Sequence, residues 1–187
     1  MKAWVRLLCL VCGLVALSSV QAAEKGLKKY RFDAEVHVGN VGLGEAKFEL
    51  ACSAGKGGSL SLSLIFMRRD AAKSFALDEF EGPDGVGESR ALAQWGVDTR
   101  GPATNLESNI SGWYGVDGDG FVLSTAAIQG KSTALPDFVR HLTSADALRL
   151  RLSVTPPHGG DPLQASAALS SAQVELSRVA ADCLAVK

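Results

Sequence analysis

Histidine is scarce in this chain of 187 residues: His37, His141 and His158 are the only three. They lie far apart, with none of the short spacings that zinc sites favour and no H-E-x-x-H, so they read as surface histidines. No G-x-S-x-G elbow is present either; the nearest approach, GGSLS, has Ser61 where the last glycine should stand. The stretch VDGDGF begins like a calcium loop, but FVLSTAAI follows it with no acidic residue to close the site, so it reads as a turn. Charge of one sign is also lacking: 19 Lys and Arg stand against 20 Asp and Glu. That balance gives nucleic acid nothing to bind.

Long apolar runs are missing except at the start. Lys2 and Arg6 precede an unbroken apolar run from Leu7 to Leu17, and small residues follow up to Ala22. The run is about 11 residues, too short for the roughly 20 that cross a bilayer as a helix. It has the form of a secretory signal peptide cleaved after Ala22. Cys9 and Cys12 lie inside the run and leave with it, as do Lys2 and Arg6, which takes the formal net charge from −1 to −3. Residues 23–187 suit one domain, large enough to bury about 70% of the surface its unfolded chain exposes.

Two cysteines then remain, Cys52 and Cys183, and export carries them to an oxidising compartment where such a pair is normally joined. Both read as core-facing. In AKFELAC, Phe48, Leu50 and Cys52 alternate on one strand face. In a last helix from about Ser171 to Cys183, Ala172, Leu176, Val179, Ala180 and Cys183 recur at helical spacing. A bridge would tie the last helix to an early strand; the alternative is two buried free thiols. A catalytic cysteine is disfavoured, because neither has a nearby histidine or a Cys-x-x-Cys partner.

Strands dominate the rest. KYRFDAEVHV puts Tyr30, Phe32, Ala34, Val36 and Val38 on one face and Arg31, Asp33, Glu35 and His37 on the other. GLGEAKFELAC and SLSLSLIFM continue it as an antiparallel meander. KSFALDEFEGPDGVGESRALAQW reads as a hairpin turning at Gly82-Pro83-Asp84-Gly85, and GVDTRGPATNLES as a loop. NISGWYG and FVLSTAAI form a second hairpin. Leu135, Phe138, Val139 and Leu142 fit a helix with Pro136 in its first turn. LRLRLSV follows, with Leu148, Leu150, Leu152 and Val154 inside, then LQASAAL. Ser170 with Gln173 matches a capping box, and Leu169 with Val174 a hydrophobic staple, at the start of the last helix. Seven to nine strands with two helices in the C-terminal half predict a mainly β domain, a β-sandwich or partly open barrel.

Candidate binding residues are Trp113 and Tyr114, which flank glycines near the Asp117–Gly120 turn and could offer flat contact area. Arg149 and Arg151 share the outward face of one strand, with Arg140 on the preceding helix, and could meet an anionic partner. Each set also has a plain reading, as core cap or as solvated strand face. Asp78, Glu79 and Glu81 form an acidic run from which a catalytic pair could be drawn. Asn109-Ile110-Ser111 is a glycosylation sequon.

The segment FVRHLTSADALRLRLSVTPPHGGDPLQASAALSSAQVELSRVAADC resembles the C-terminal half of certain bacterial periplasmic β-sandwich proteins, those associated with type VI secretion and those of the invasion-associated locus B family. In them, too, a helix, two strands and a last helix ending in a disulfide cysteine follow one another. The resemblance implies a periplasmic accessory protein. Two functions are therefore expected. The first is a non-catalytic exported protein, needing no cofactor, that acts through a surface on another envelope protein or a cell-wall component, as an envelope or secretion-system accessory factor or as an inhibitor of another protein. The second is an envelope hydrolase using dispersed carboxylates such as Asp78 and Glu81.

Overall fold

A computed structural model describes residues 26–55, 58–66, 75–80, 92–115, 120–128 and 130–185. Ten strands and two helices occur among them: β1 (Leu27–Val38), β2 (Val41–Gly42), β3 (Ala46–Ser53), β4 (Ser59–Phe66), β5 (Leu92–Thr99), β6 (Thr104–Asn109), β7 (Ser111–Tyr114), β8 (Phe121–Ile128), α1 (Ala134–Leu142), β9 (Ala147–Val154), β10 (Leu163–Ala168) and α2 (Gln173–Leu184). Every pairing is antiparallel, in the order β6-β5-β9-β10-β1-β3-β4-β8-β7, with β2 paired to β1.

Two stretches of chain belong to both halves of this order. The first part of β1, Leu27 to Ala34, pairs with β3, and its last part, Glu35 to Val38, pairs with β10. At the other seam β6 runs into β7 through the buried Ile110, so the chain leaves the partner of β5 and becomes the partner of β8. Strands that switch sheets in this way make the corners of a sandwich or barrel. The sheet is consequently almost closed, with few edges left to pair with another chain.

Its inward side follows from alternation. Phe32, Val36 and Val38 of β1, Phe48, Leu50 and Cys52 of β3, and Leu60, Leu62 and Leu64 of β4 are buried in one continuous core. Trp95 lies in the middle of it, 1% exposed, beside Phe48. Its indole Nε1 donates to Thr125 Oγ1 at 3.0 Å, Thr125 Oγ1 donates to the Asn109 carbonyl at 3.1 Å, and Ser108 Oγ lies 2.9 Å away. A small polar knot thus joins β5, β8 and the β6–β7 corner. Every member is partnered, as buried polar groups must be.

The helices close the core. Leu135, Phe138, Val139 and Leu142 of α1 are buried, as are Leu176, Val179, Ala180 and Cys183 of α2. Cys52 and Cys183 are joined, with Cα atoms 5.9 Å apart. The bridge fastens α2 to β3, and Lys28 and Asp182 add an exposed ion pair alongside it at 2.6 Å.

Several expectations are corrected. The stretch expected to be a loop holds the end of β5, the turn at 100–103 and all of β6 but Asn109; β6 has one inward apolar residue, Leu106, so no period shows in its sequence. Leu77–Phe80 is a 3-10 turn, with Phe75 and Phe80 stacked and buried, where the first arm of a hairpin was expected. The Gly82–Gly85 turn, Glu81 and the VDGD turn lie outside the described residues. The second strand is interrupted: Val41–Gly42 pairs with the end of β1, then Leu43 donates to the Val36 carbonyl, and β3 starts only at Ala46. Leu148 is 47% exposed and Ala147 is buried in its place, because pairing with β5 shifts register at Asp98/Thr99. No side-chain cap starts α2: Gln173 donates to the Ser144 carbonyl and Val174 is 78% exposed, so neither capping box nor staple forms.

Candidate functional site

In the half of the sheet made by β6, β5, β9, β10 and the end of β1, the outward positions fall into rows fixed by register. One row reads His37, Gln164, Ser153, Gln94, Glu107; the next reads Glu35, Ser166, Arg151, Gly96, Asn105; a third carries Ala168, Arg149 and Asp98. Strands spaced about 4.8 Å apart make this a polar shelf roughly 19 Å across. An open cavity of about 320 Å³ lies on it, lined by His37, Gln94, Gly96, Asn105, Arg149, Arg151 and Gln164 among others.

Its centre is built around a missing side chain. Gly96 stands opposite Arg151, and a Cβ there would lie 3.1 Å from Arg151 Nη2 and 3.2 Å from Asn105 Oδ1. The guanidinium therefore covers Gly96, reaching from β9 to β5. Asp98 pins it: Nε donates to both carboxylate oxygens at 3.0 Å and Nη2 lies 2.8 Å from Oδ1. Both side chains are more than one-third exposed, so the pair adds only about 0 to 1 kcal/mol of stability. What it supplies is aim. Arg151 spends two of its nitrogens on Asp98 and turns the remaining N–H groups outward.

Arg149, also exposed, has no ion-pair partner among the described residues. At the other end of the shelf His37 Nε2 and Gln164 Oε1 are 3.0 Å apart. With His37 as donor, the Gln164 amide is oriented so that its NH2 faces solvent. Gln94 and Asn105 add two more amides, both exposed. The strands beneath are paired on both sides at β5, β9 and β10, so recognition here falls to side chains. Hydrogen bonding and charge pairing are the chemistry on offer.

The sequence-derived candidates divide. Arg149 and Arg151 are on the shelf, next to each other on β9. Arg140 is not: it pairs with Asp137 one turn earlier on α1 and donates to the Leu184 carbonyl of α2 at 3.4 Å. Trp113 and Tyr114 are on β7, in the other half of the sheet, and part company there. Trp113 is 47% exposed on the outward face; Tyr114 turns in, packs edge-on against Phe121 at 4.8 Å and donates to Asp78 at 2.6 Å. Glu79, next to Asp78, has one carboxylate oxygen 3.8 Å from His158 Nδ1 and the other buried without a hydrogen bond among the described residues. These acids tie the 3-10 turn to β7 and to the loop after β9.

Comparison with family models, with curated proteins and with solved structures finds no match. Sequence reading missed His37, Gln94, Gly96, Asp98, Asn105 and Gln164. The first and last were visible as outward positions of recognised strands; Asp98 and Asn105 were hidden in the supposed loop.

Proposed function

We propose that this is an exported, disulfide-tied protein of the bacterial envelope that acts by binding through the shelf on β6, β5, β9, β10 and β1. The observation that carries the reading is the glycine-floored cavity with Arg151 held over it by Asp98 and Arg149 without an ion-pair partner among the described residues. A guanidinium fixed in orientation before a ligand arrives loses less freedom on binding than a mobile one. Export is supported by the basic and apolar pattern of the first 22 residues and by the buried Cys52–Cys183 bridge, which suits an oxidising compartment. The run of helix, two strands and disulfide-bearing helix seen in periplasmic β-sandwich proteins supports the periplasm as the address. None of the described helices is long and apolar enough to cross a membrane.

The test is capture from native envelope extract by tagged protein, wild type against an Arg149→Gln, Gln164→Ala pair and against Trp113→Ala. A component retained by wild type and by Trp113→Ala but lost with the shelf pair supports the reading. Loss with Trp113→Ala alone moves the binding surface to β7. Cell fractionation with N-terminal sequencing checks the address, and the expected mature N-terminus is Ala23.

A further inference from the structure

We infer that the shelf takes a short saccharide bearing a single carboxylate, as a cell-wall or surface glycan would present. This rests on the reading of the shelf as the binding surface and narrows it to a ligand class. Three features carry it. The middle strand, β9, offers two guanidiniums, and Asp98 pairs with that of Arg151, leaving Arg149, at one end of the shelf, without an ion-pair partner among the described residues. Glu35 on β1 and Glu107 on β6 stand at the outer strands, two strands from β9 on either side, Glu35 in the row of Arg151 and Glu107 in the row of Ser153. One anionic group is welcome beside Arg149, and further ones that reach toward the outer strands meet like charge.

Between these charges lie the amides of Gln94, Asn105 and Gln164, each able to donate and to accept. Ligand hydroxyls have the same double capacity. A protein partner fits less well: the apolar residues that line the cavity, Trp95, Leu152 and Ala165, are at most 3% exposed and offer no anchor for a hot spot. An extended peptide prefers a free sheet edge, and this cavity lies over paired strands.

The test titrates the purified disulfide-bonded protein with aldotetraouronic acid, a xylooligosaccharide with one uronic acid, and with xylotetraose, a neutral oligosaccharide with the same number of rings, by calorimetry and side-chain amide NMR. The expected result is at least tenfold tighter binding of the acid, with shifts in the NH2 signals of Gln94, Asn105 and Gln164. Arg149→Gln should abolish most of that preference, Arg149→Lys should keep part of it, and Arg140→Gln, off the shelf, should leave it unchanged. Equal binding of the two sugars, no binding of either, or a preference indifferent to Arg149→Gln overturns the saccharide assignment. The envelope capture then separates the two levels: capture still lost with the shelf pair leaves the shelf as a surface for another ligand, whereas capture indifferent to it removes the shelf as well.

Discussion

Breaking the Cys52–Cys183 bridge should cost this protein a large part of its stability. The bridge spans a sequence separation of 131. For a loop of that length the chain-entropy model gives about 5 kcal/mol at 25 °C, and disulfides of this kind typically deliver about 2 to 4. The sulfurs are packed: Cys52 is 0% and Cys183 5% exposed, with Leu50, Leu60, Leu176, Val179 and Ala180 buried in the same core. Replacing both by alanine would mix the loss of the bridge with the loss of sulfur packing. Comparing oxidised with fully reduced wild type keeps every atom but two hydrogens and isolates the bridge. Urea denaturation should show the reduced form about 3 kcal/mol less stable, and a thermal scan should show a midpoint roughly 6 to 12 °C lower for a chain of this length. Because both thiols are shielded, reduction should proceed only in denaturant, and the oxidised protein should show no free thiol on unfolding. A difference under about 1 kcal/mol would refute the reasoning, showing that α2 is held by packing alone or that the unfolded chain is already compact around that loop.

Two further outcomes test the core. Thr125→Val removes the acceptor of the Trp95 indole and the partner of Ser108, so unfolding free energy should fall by about 1 to 3 kcal/mol with a changed tryptophan emission, while Thr125→Ser should stay close to wild type. Gly112→Ala places a Cβ 2.5 Å from the Phe121 ring and should destabilise by about 1 to 3 kcal/mol in urea titration, with a Phe121→Leu partner recovering part of the loss.

Where local pattern and tertiary environment agree, the sequence is legible. β1 and β3 alternate, and so does β4 up to Leu62, and the inward Phe32, Val36 and Val38, Phe48 to Cys52 and Leu60 to Phe66 are buried; in β4 Ser63 and Ile65 of the other face are buried too. The disulfide followed from two cysteines each placed on a core-facing stripe. β6 was illegible for the opposite reason. Thr104, Leu106 and Ser108 make an inward face with one apolar member, because a polar knot at Thr125 substitutes there for apolar contact. The start of α2 misled through a sound local rule: Ser170 and Gln173 are spaced for a capping box, but the Ser144 carbonyl, distant in sequence, takes the glutamine instead. Half of the site was visible, since Arg149 and Arg151 are outward on a recognised strand. The other half needs β5 and β6 beside them, and strand order is a non-local property that spacing does not encode.

The two-sided pairing of β1 also sets a schedule for the growing chain. Leu27 to Ala34 finds its partner in β3 almost at once, across a short connection. Glu35 to Val38 has to wait for Leu163 to Ser166, which are made near the end of synthesis. Until then the sheet cannot round its first corner, and β9 and β5 are joined to it only through β6 and the β6–β7 corner. Most of the nascent protein is thus held in an incomplete state with an unpaired strand edge, and the slow closure of distant contacts comes last.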